Sequence, residues 1–302
     1  MRRWLSAVAL TVAAGIALTG CGNPAGVDGA LIDDWPALPE AGPFVPAAGV
    51  CHPGAFAETV ALADHQPVEC VSPHQVETVH VGTFADAAAG LPAPPARDSA
   101  ELAAAYTECD GKAREYVGDE WRHGRLWLGV ALPTPVAWTA GARWFRCDLR
   151  EMTDIEGRAR PAAREASLRD ALVESSPLRL TCYTVDLTGT GRIEKMSPVG
   201  CDQRHNGEFV GVWRAPADLD YPARDGEWAR FYTECYNVLA GYAQVPKDRN
   251  LRARAGVVVL PASEAEWRAG NRGVRCYLWR NDTTFTRSAK GAGPAGLPVR
   301  RA

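Results

Sequence analysis

Two pairs of side chains suited to acid–base or metal chemistry recur in the chain. His74 and Glu77 follow Cys70 in the pattern C-x3-H-x2-E, and His205 and Glu208 follow Cys201 with the same spacing. An imidazole and a carboxylate three residues apart fit general acid–base catalysis or metal ligation. A catalytic zinc takes three protein ligands, however, and His52, His65, His80 and His123 have no counterparts in the second half. The expectation is therefore structural: the His hydrogen-bonds a turn, the Glu caps backbone beside a disulfide, and together they pin the entry to a strand. No catalytic residue, metal or cofactor is assigned. Trp138 and Arg143, repeated as Trp267 and Arg272, are candidate surface-recognition residues. An indole face suits sugar stacking and a guanidinium suits phosphate, while the same types serve as a core plug and a strand-face cation. The nucleophile motifs G-x-S-x-G, S-x-x-K and H-E-x-x-H are absent, as are the P-loop and the dinucleotide fingerprint.

The elements that must position these residues are organised by cysteines. Setting Cys21 aside leaves Cys51, Cys70, Cys109, Cys147, Cys182, Cys201, Cys235 and Cys276, spaced 19, 39 and 38 in the first four and 19, 34 and 41 in the second. Their neighbours repeat too. Tyr106-Thr107-Glu108-Cys109 matches Tyr232-Thr233-Glu234-Cys235, and Trp138-Thr139-Ala140-Gly141-Ala142-Arg143 matches Trp267-Arg268-Ala269-Gly270-Asn271-Arg272. A period of about 130 residues is a duplicated domain and no solenoid. An even set of widely spaced cysteines in an extracytoplasmic chain points to disulfides, since a zinc framework would want close pairs. Pairing is expected within each repeat. Four cysteines allow three connectivities; the favoured one joins Cys51 to Cys147 and Cys70 to Cys109, hence Cys182 to Cys276 and Cys201 to Cys235.

A first Cys, a second in C-x3-H-x2-E, a helix Cys and a closing W-x-A-G-x-R-x2-R-C together resemble the septum-formation-type domain of actinobacterial envelope proteins, here in tandem. The resemblance implies division-site or envelope biology and brings no reaction or catalytic residues with it. Many members place Pro before the motif His, as Pro73 does; Arg204 stands there in the second copy.

The N-terminus carries an address. Arg2-Arg3 precede an apolar run from Trp4 to Ala17, and Leu18-Thr19-Gly20-Cys21 resembles a bacterial lipobox. Cys21 is the expected lipidation site, and two or more acyl chains, at about 0.8 kcal/mol per buried methylene, hold a protein on a membrane. The expected location is the extracytoplasmic face of the cell membrane. With 33 basic against 36 acidic side chains the formal charge is −3, which disfavours nucleic acid as a partner. The expected partners are the membrane, through the anchor, and an envelope protein or wall polymer.

The expected segments are a signal peptide (1–20), the lipidated Cys with a Gly/Pro/Ala-rich tether (21–48), a first domain (49–151), a linker (152–178), a second domain (179–287) and a flexible tail (288–302). In the first domain strands are expected near Val50, Pro67 to Val71, Glu77 to Phe84, Leu126 to Leu132 and Arg143 to Leu149. A helix starts at Asp98-Ser99-Ala100-Glu101 and turns Leu102, Tyr106, Cys109, Ala113 and Tyr116 to one face. The second domain repeats the order with Trp228, Phe231, Cys235, Val238 and Tyr242. A short helix is expected at Ala166 to Leu172 in the linker. The fold class is α+β, two tandem repeats, each a small antiparallel sheet with one main helix, cross-linked by disulfides. Two functions fit: a non-enzymatic binding or scaffolding lipoprotein, or a metal-assisted or acid–base hydrolase of wall polymers using the His–Glu pairs.

Overall fold

Alternating side chains and inward-facing cysteines build the same sheet twice. The computed structural model describes residues 42–155, 159–190, 193–281 and 283–300; the expected signal peptide and the expected lipidation site Cys21 lie outside them. In the first repeat the strands are β1 (Val50–His52), β2 (Thr59–Val60), β3 (Val76–Thr83), β4 (Leu126–Pro133) and β5 (Trp144–Glu151), in the order β1-β3-β5-β4-β2. In the second they are β6 (Cys182–Leu187), β7 (Ile193–Val199), β8 (Gly207–Arg214), β9 (Gly256–Pro261) and β10 (Gly273–Trp279), in the order β7-β6-β8-β10-β9. Four strands correspond: β1 with β6, β3 with β8, β5 with β10 and β4 with β9. The fifth differs, since β2 joins β4 in parallel at one edge whereas β7 joins β6 antiparallel at the other. The architecture is α+β, and no helix among the described residues is long and apolar enough to cross a membrane.

Each sheet buries one face under a helix: α1 (Ala100–Val117) in the first repeat and α3 (Trp228–Ala243) in the second, with short helices α2 (Pro135–Thr139) and α4 (Glu264–Arg268) before the closing strands. Ser99 caps α1 by accepting from the Leu102 N–H at 3.2 Å, and Gly118, in the left-handed region at φ 81°, ends it. Leu102, Tyr106, Cys109, Ala113 and Tyr116 are buried against the sheet, as the periodicity predicts.

Three expectations change. The disulfides join Cys51 to Cys70, Cys109 to Cys147, Cys182 to Cys201 and Cys235 to Cys276. All stay within their repeat, but the favoured pairing is overturned for a geometric reason. β3 lies between β1 and β5, so Cys51 and Cys147 stand two strands apart, roughly 9 to 10 Å, beyond the reach of a disulfide. Residues 67–71 form no strand; Val68 makes only a single bridge to Cys51.

The third change concerns linker and tail. Residues 166–172 are turns rather than a helix, with Asp170 at φ 53°, and they belong to the first core: Leu168 and Leu172 are fully buried there. Residues 288–300 do the same for the second repeat, where Ala289 and Leu297 enter the core and the Arg254 guanidinium donates to the Leu297 carbonyl at 2.7 Å. Linker and tail are thus the closing segments of their own repeats.

Candidate functional site

The His–Glu pairs occupy equivalent places at the mouth of β3 and β8. The turn after Cys70 brings His74 beside Arg164, with which it exchanges two backbone hydrogen bonds of 3.0 and 2.9 Å; His205 does the same with Phe285 at 3.0 and 2.7 Å. Each imidazole Nδ1–H donates at 2.8 Å to a carbonyl two residues back, Ser72 or Gln203. Each Nε2 is buried without a hydrogen-bond partner among the described residues.

The carboxylates organise the closing segments. Glu77 accepts from the Tyr116 hydroxyl, from the Ser167 hydroxyl at 2.5 Å and from the Leu168 N–H at 2.6 Å. Glu208 accepts from the Tyr242 hydroxyl at 2.7 Å, from the Ser288 hydroxyl and from the Ala289 N–H at 2.8 Å. Both glutamates and both histidines are at most 1% exposed. A buried carboxylate must be matched by donors, and three donors from two elements do so here. The pairs therefore clasp helix, strand and closing segment together and open onto no solvent cleft. A third donor is sulfur, Cys51 in one repeat and Cys182 in the other, within 4.8 Å of the His and Glu atoms, and both sulfurs are in disulfides.

Of the Trp–Arg candidates the tryptophans are buried and the arginines half-buried against them. Trp138 and Trp267 are each 1% exposed, and their Nε1–H groups donate to the Leu91 and Leu219 carbonyls at 2.7 and 2.9 Å. Arg143 stacks on Trp138 and donates to the Ala89, Trp138 and Ala142 carbonyls. Arg272 stacks on Trp267 and donates to the Leu219 carbonyl. These guanidiniums tie loops to the short helix, and neither indole face is a free stacking platform.

A polar cluster on the outer face of the first sheet escaped the sequence reading. The His52 imidazole lies 3.0 Å from the Thr78 hydroxyl, which donates to Asp148 at 2.8 Å, while Arg146 grips Asp148 at 2.9 and 2.8 Å. All four are buried, and His52 and Arg146 line a cavity of about 430 Å³. Burial, with Arg146 adding to it, pushes the His52 pKa down to about 3, so the ring is neutral. The second repeat fills three matching places with Tyr183, Phe209 and Tyr277, whose rings stack edge to face. One signal was available. His52, Arg146 and Asp148 each adjoin a cysteine that faces inward, and strand alternation turns such neighbours to the opposite face.

Between the repeats runs a larger cleft of about 1000 Å³, lined among others by Trp127, Met152, Lys195, Met196 and Glu266. Asn271 and Arg275, which also line it, belong to a charged seam. Arg122, buried, donates to Asp110 at 2.6 Å, to Glu120 at 3.0 Å and across the seam to the Asn271 side chain at 2.6 Å. From the second repeat Arg214 reaches Asp110 at 2.7 Å and also Glu120, and Arg275 donates to the Arg122 and Leu126 carbonyls at 3.0 Å. Burial would raise the Asp110 and Glu120 carboxyls, yet the two guanidiniums hold both below the ordinary carboxylate range.

A family model described as septum formation matches residues 48–276, one span running across both repeats. No curated protein and no solved structure matches the chain.

Proposed function

The chain belongs to the septum-formation family, and from that premise we propose that it is a membrane-anchored, extracytoplasmic lipoprotein acting as a non-enzymatic binding or scaffolding module in division or envelope assembly. The observation that carries this reading is the commitment of the repeated His–Glu and Trp–Arg side chains to the fold: His74, Glu77, His205 and Glu208 are buried clasps, Trp138 and Trp267 are buried, and the half-buried Arg143 and Arg272 stack on them and bind loop carbonyls. What faces outward is shape, the cleft between two repeats held by a charged seam. Anchoring is supported by Leu18-Thr19-Gly20-Cys21 and the Gly/Pro/Ala-rich stretch after it.

The test is made in the host. Tagged full-length protein should fractionate with membranes, take up a fatty-acid analogue and concentrate at division sites, and its deletion should disturb septation. The Cys21→Ser chain should lose both label and membrane association. Even distribution along the envelope with normal septa would overturn the division role, and equal labelling of Cys21→Ser would overturn the anchor. Purified chain should release no fragments from wall polymer; release that His74→Ala and His205→Ala abolish would replace the binding module by a hydrolase.

A further inference from the structure

Each repeat holds its two disulfides in different surroundings. Cys109–Cys147 and Cys235–Cys276 tie helix to sheet through the core, and all four residues are fully buried. Cys51–Cys70 and Cys182–Cys201 each end on a half-buried residue, Cys70 or Cys201, in the turn that leads into the H-x2-E motif. Thiol–disulfide exchange requires access to the sulfur under attack. The bonds open to it are therefore the ones beside the His–Glu pairs.

The buried end of each such bond adjoins a prepared set of donors. The Cys51 sulfur, a ring nitrogen of His74 and a carboxylate oxygen of Glu77 lie within 4.8 Å of one another, and Cys182, His205 and Glu208 repeat the arrangement. Each ring donates its Nδ1–H to a backbone carbonyl, which fixes the tautomer with a lone pair on Nε2, and that Nε2 is buried with no hydrogen-bond partner among the described residues. A histidine that ligates a metal almost always donates its other N–H in this way. Each carboxylate is oriented by three donors and retains a fourth lone pair.

We infer that reduction of Cys51–Cys70 and Cys182–Cys201 turns each repeat into a zinc site of two thiolates, one imidazole and one carboxylate: Cys51, Cys70, His74 and Glu77 in the first, Cys182, Cys201, His205 and Glu208 in the second. A dithiol is the reductant. Its thiolate attacks the sulfur of half-buried Cys70, the S–S bond breaks, and Cys51 leaves as a thiolate beside His74. The second thiol of the reductant then closes on the mixed disulfide, releasing Cys70 and departing as its own cyclic disulfide. Two electrons pass to the protein, and the two protons given up by the dithiol reach the protein thiols or solvent. Zinc binding to both sulfurs leaves those protons in solvent. Four donors of the S, S, N, O type match the tetrahedral preference of zinc. Repetition supports the inference separately, because the copies differ next to this set, with Pro73 against Arg204 and Thr78 against Phe209, and still keep the same four donors.

The test uses the full chain with limiting dithiothreitol, monitored by peptide mapping of the opened bonds, followed by zinc or cobalt(II) and dialysis. Cys51–Cys70 and Cys182–Cys201 should open first, and the chain should then hold two equivalents of zinc, against none when oxidised. Cobalt should give tetrahedral d–d bands with thiolate charge transfer. His74→Gln should lower uptake to one equivalent and His74→Gln with His205→Gln to none, circular dichroism reporting that the variants stay folded; Glu77→Gln and Glu208→Gln serve as a second pair should a His variant unfold. Failure of the reduced chain to take zinc, uptake unchanged by both pairs of variants, earlier opening of the fully buried disulfides, or unfolding when Cys51–Cys70 and Cys182–Cys201 open would each overturn the inference.

Discussion

At the scale of single residues, chemistry-bearing side chains act here by satisfying one another. In oxidised protein His74→Ala and His205→Ala should each cost roughly 1 to 3 kcal/mol in denaturant titrations, because a turn carbonyl loses its donor and removal of a buried ring leaves a void. Glu77→Ala should cost more than either, leaving the Tyr116 and Ser167 hydroxyls and the Leu168 N–H without their acceptor. Unchanged melting of these variants would count against the clasp. His52 makes a different prediction. Its folded pKa of about 3 lies below the value of about 6.5 in an unfolded chain, so below that higher value the unfolded state binds the extra proton. Stability from this group is complete above pH 6.5 and is lost progressively as pH falls towards 3. In His52→Phe that part of the pH dependence should vanish, as read from melting temperature against pH; an identical profile would refute the assignment.

At the scale of elements, the closing segments decide whether a repeat is complete. Leu168 and Ala289, whose N–H groups reach Glu77 and Glu208, take equivalent parts in the two cores, and Leu297 adds to the second, although no periodicity in residues 152–178 or 288–302 announces them. Leu168→Ala should lose about 2 to 5 kcal/mol, the cost of a large-to-small change in a packed core. A chain ending at Arg287 should expose the core of the second repeat, seen as a lowered second transition and early proteolysis after α3. If the truncated chain melts like the intact one, residues 288–300 contribute nothing and the equivalence of linker and tail fails. The same elements explain the disulfides. A helix Cys opposite the closing strand and a turn Cys opposite β1 are neighbours, whereas β1 and β5 are separated by β3.

At the scale of the whole molecule, the duplicated parts have diverged where they meet. Arg275 and Arg146 hold equivalent strand positions; one crosses to the other repeat and its counterpart closes on Asp148. Gly273 is required at the seam, since a Cβ there would come within 2.0 Å of the Arg122 guanidinium. Arg122→Ala would leave buried Asp110 and half-buried Glu120 without that cation, and the loss should approach the ~3 to 5 kcal/mol of a broken buried ion pair. The sign of the pH effect follows from the same groups. Both carboxyls are held below their ordinary range, so their stabilisation is present above that range and lost as pH falls through their folded pKa values. Acid below the ordinary carboxylate range should therefore loosen the seam, and small-angle scattering across an acid titration should record the opening. A seam that stays closed across that titration would contradict this.

How far the sequence reaches differs from residue to residue. Cysteine spacing, the repeated motifs and helical periodicity were enough for the duplication, the α+β class, the main helix of each repeat and pairing of cysteines inside each repeat, because these are local patterns that repeat 130 or so residues apart. They also located the His–Glu pairs, and the expected turn-pinning role agrees with the hydrogen bonds these residues make in the oxidised chain. Tertiary structure decided the rest. Strand order chose the disulfide partners, through a spacing that sequence separation does not encode. Contacts between residues about 90 apart in sequence, Glu77 with Leu168 among them, revealed the linker as core. The polar cluster around Asp148 exists only because β1, β3 and β5 lie side by side, and His52 and Asp148, 96 positions apart in the chain, meet through a single threonine hydroxyl.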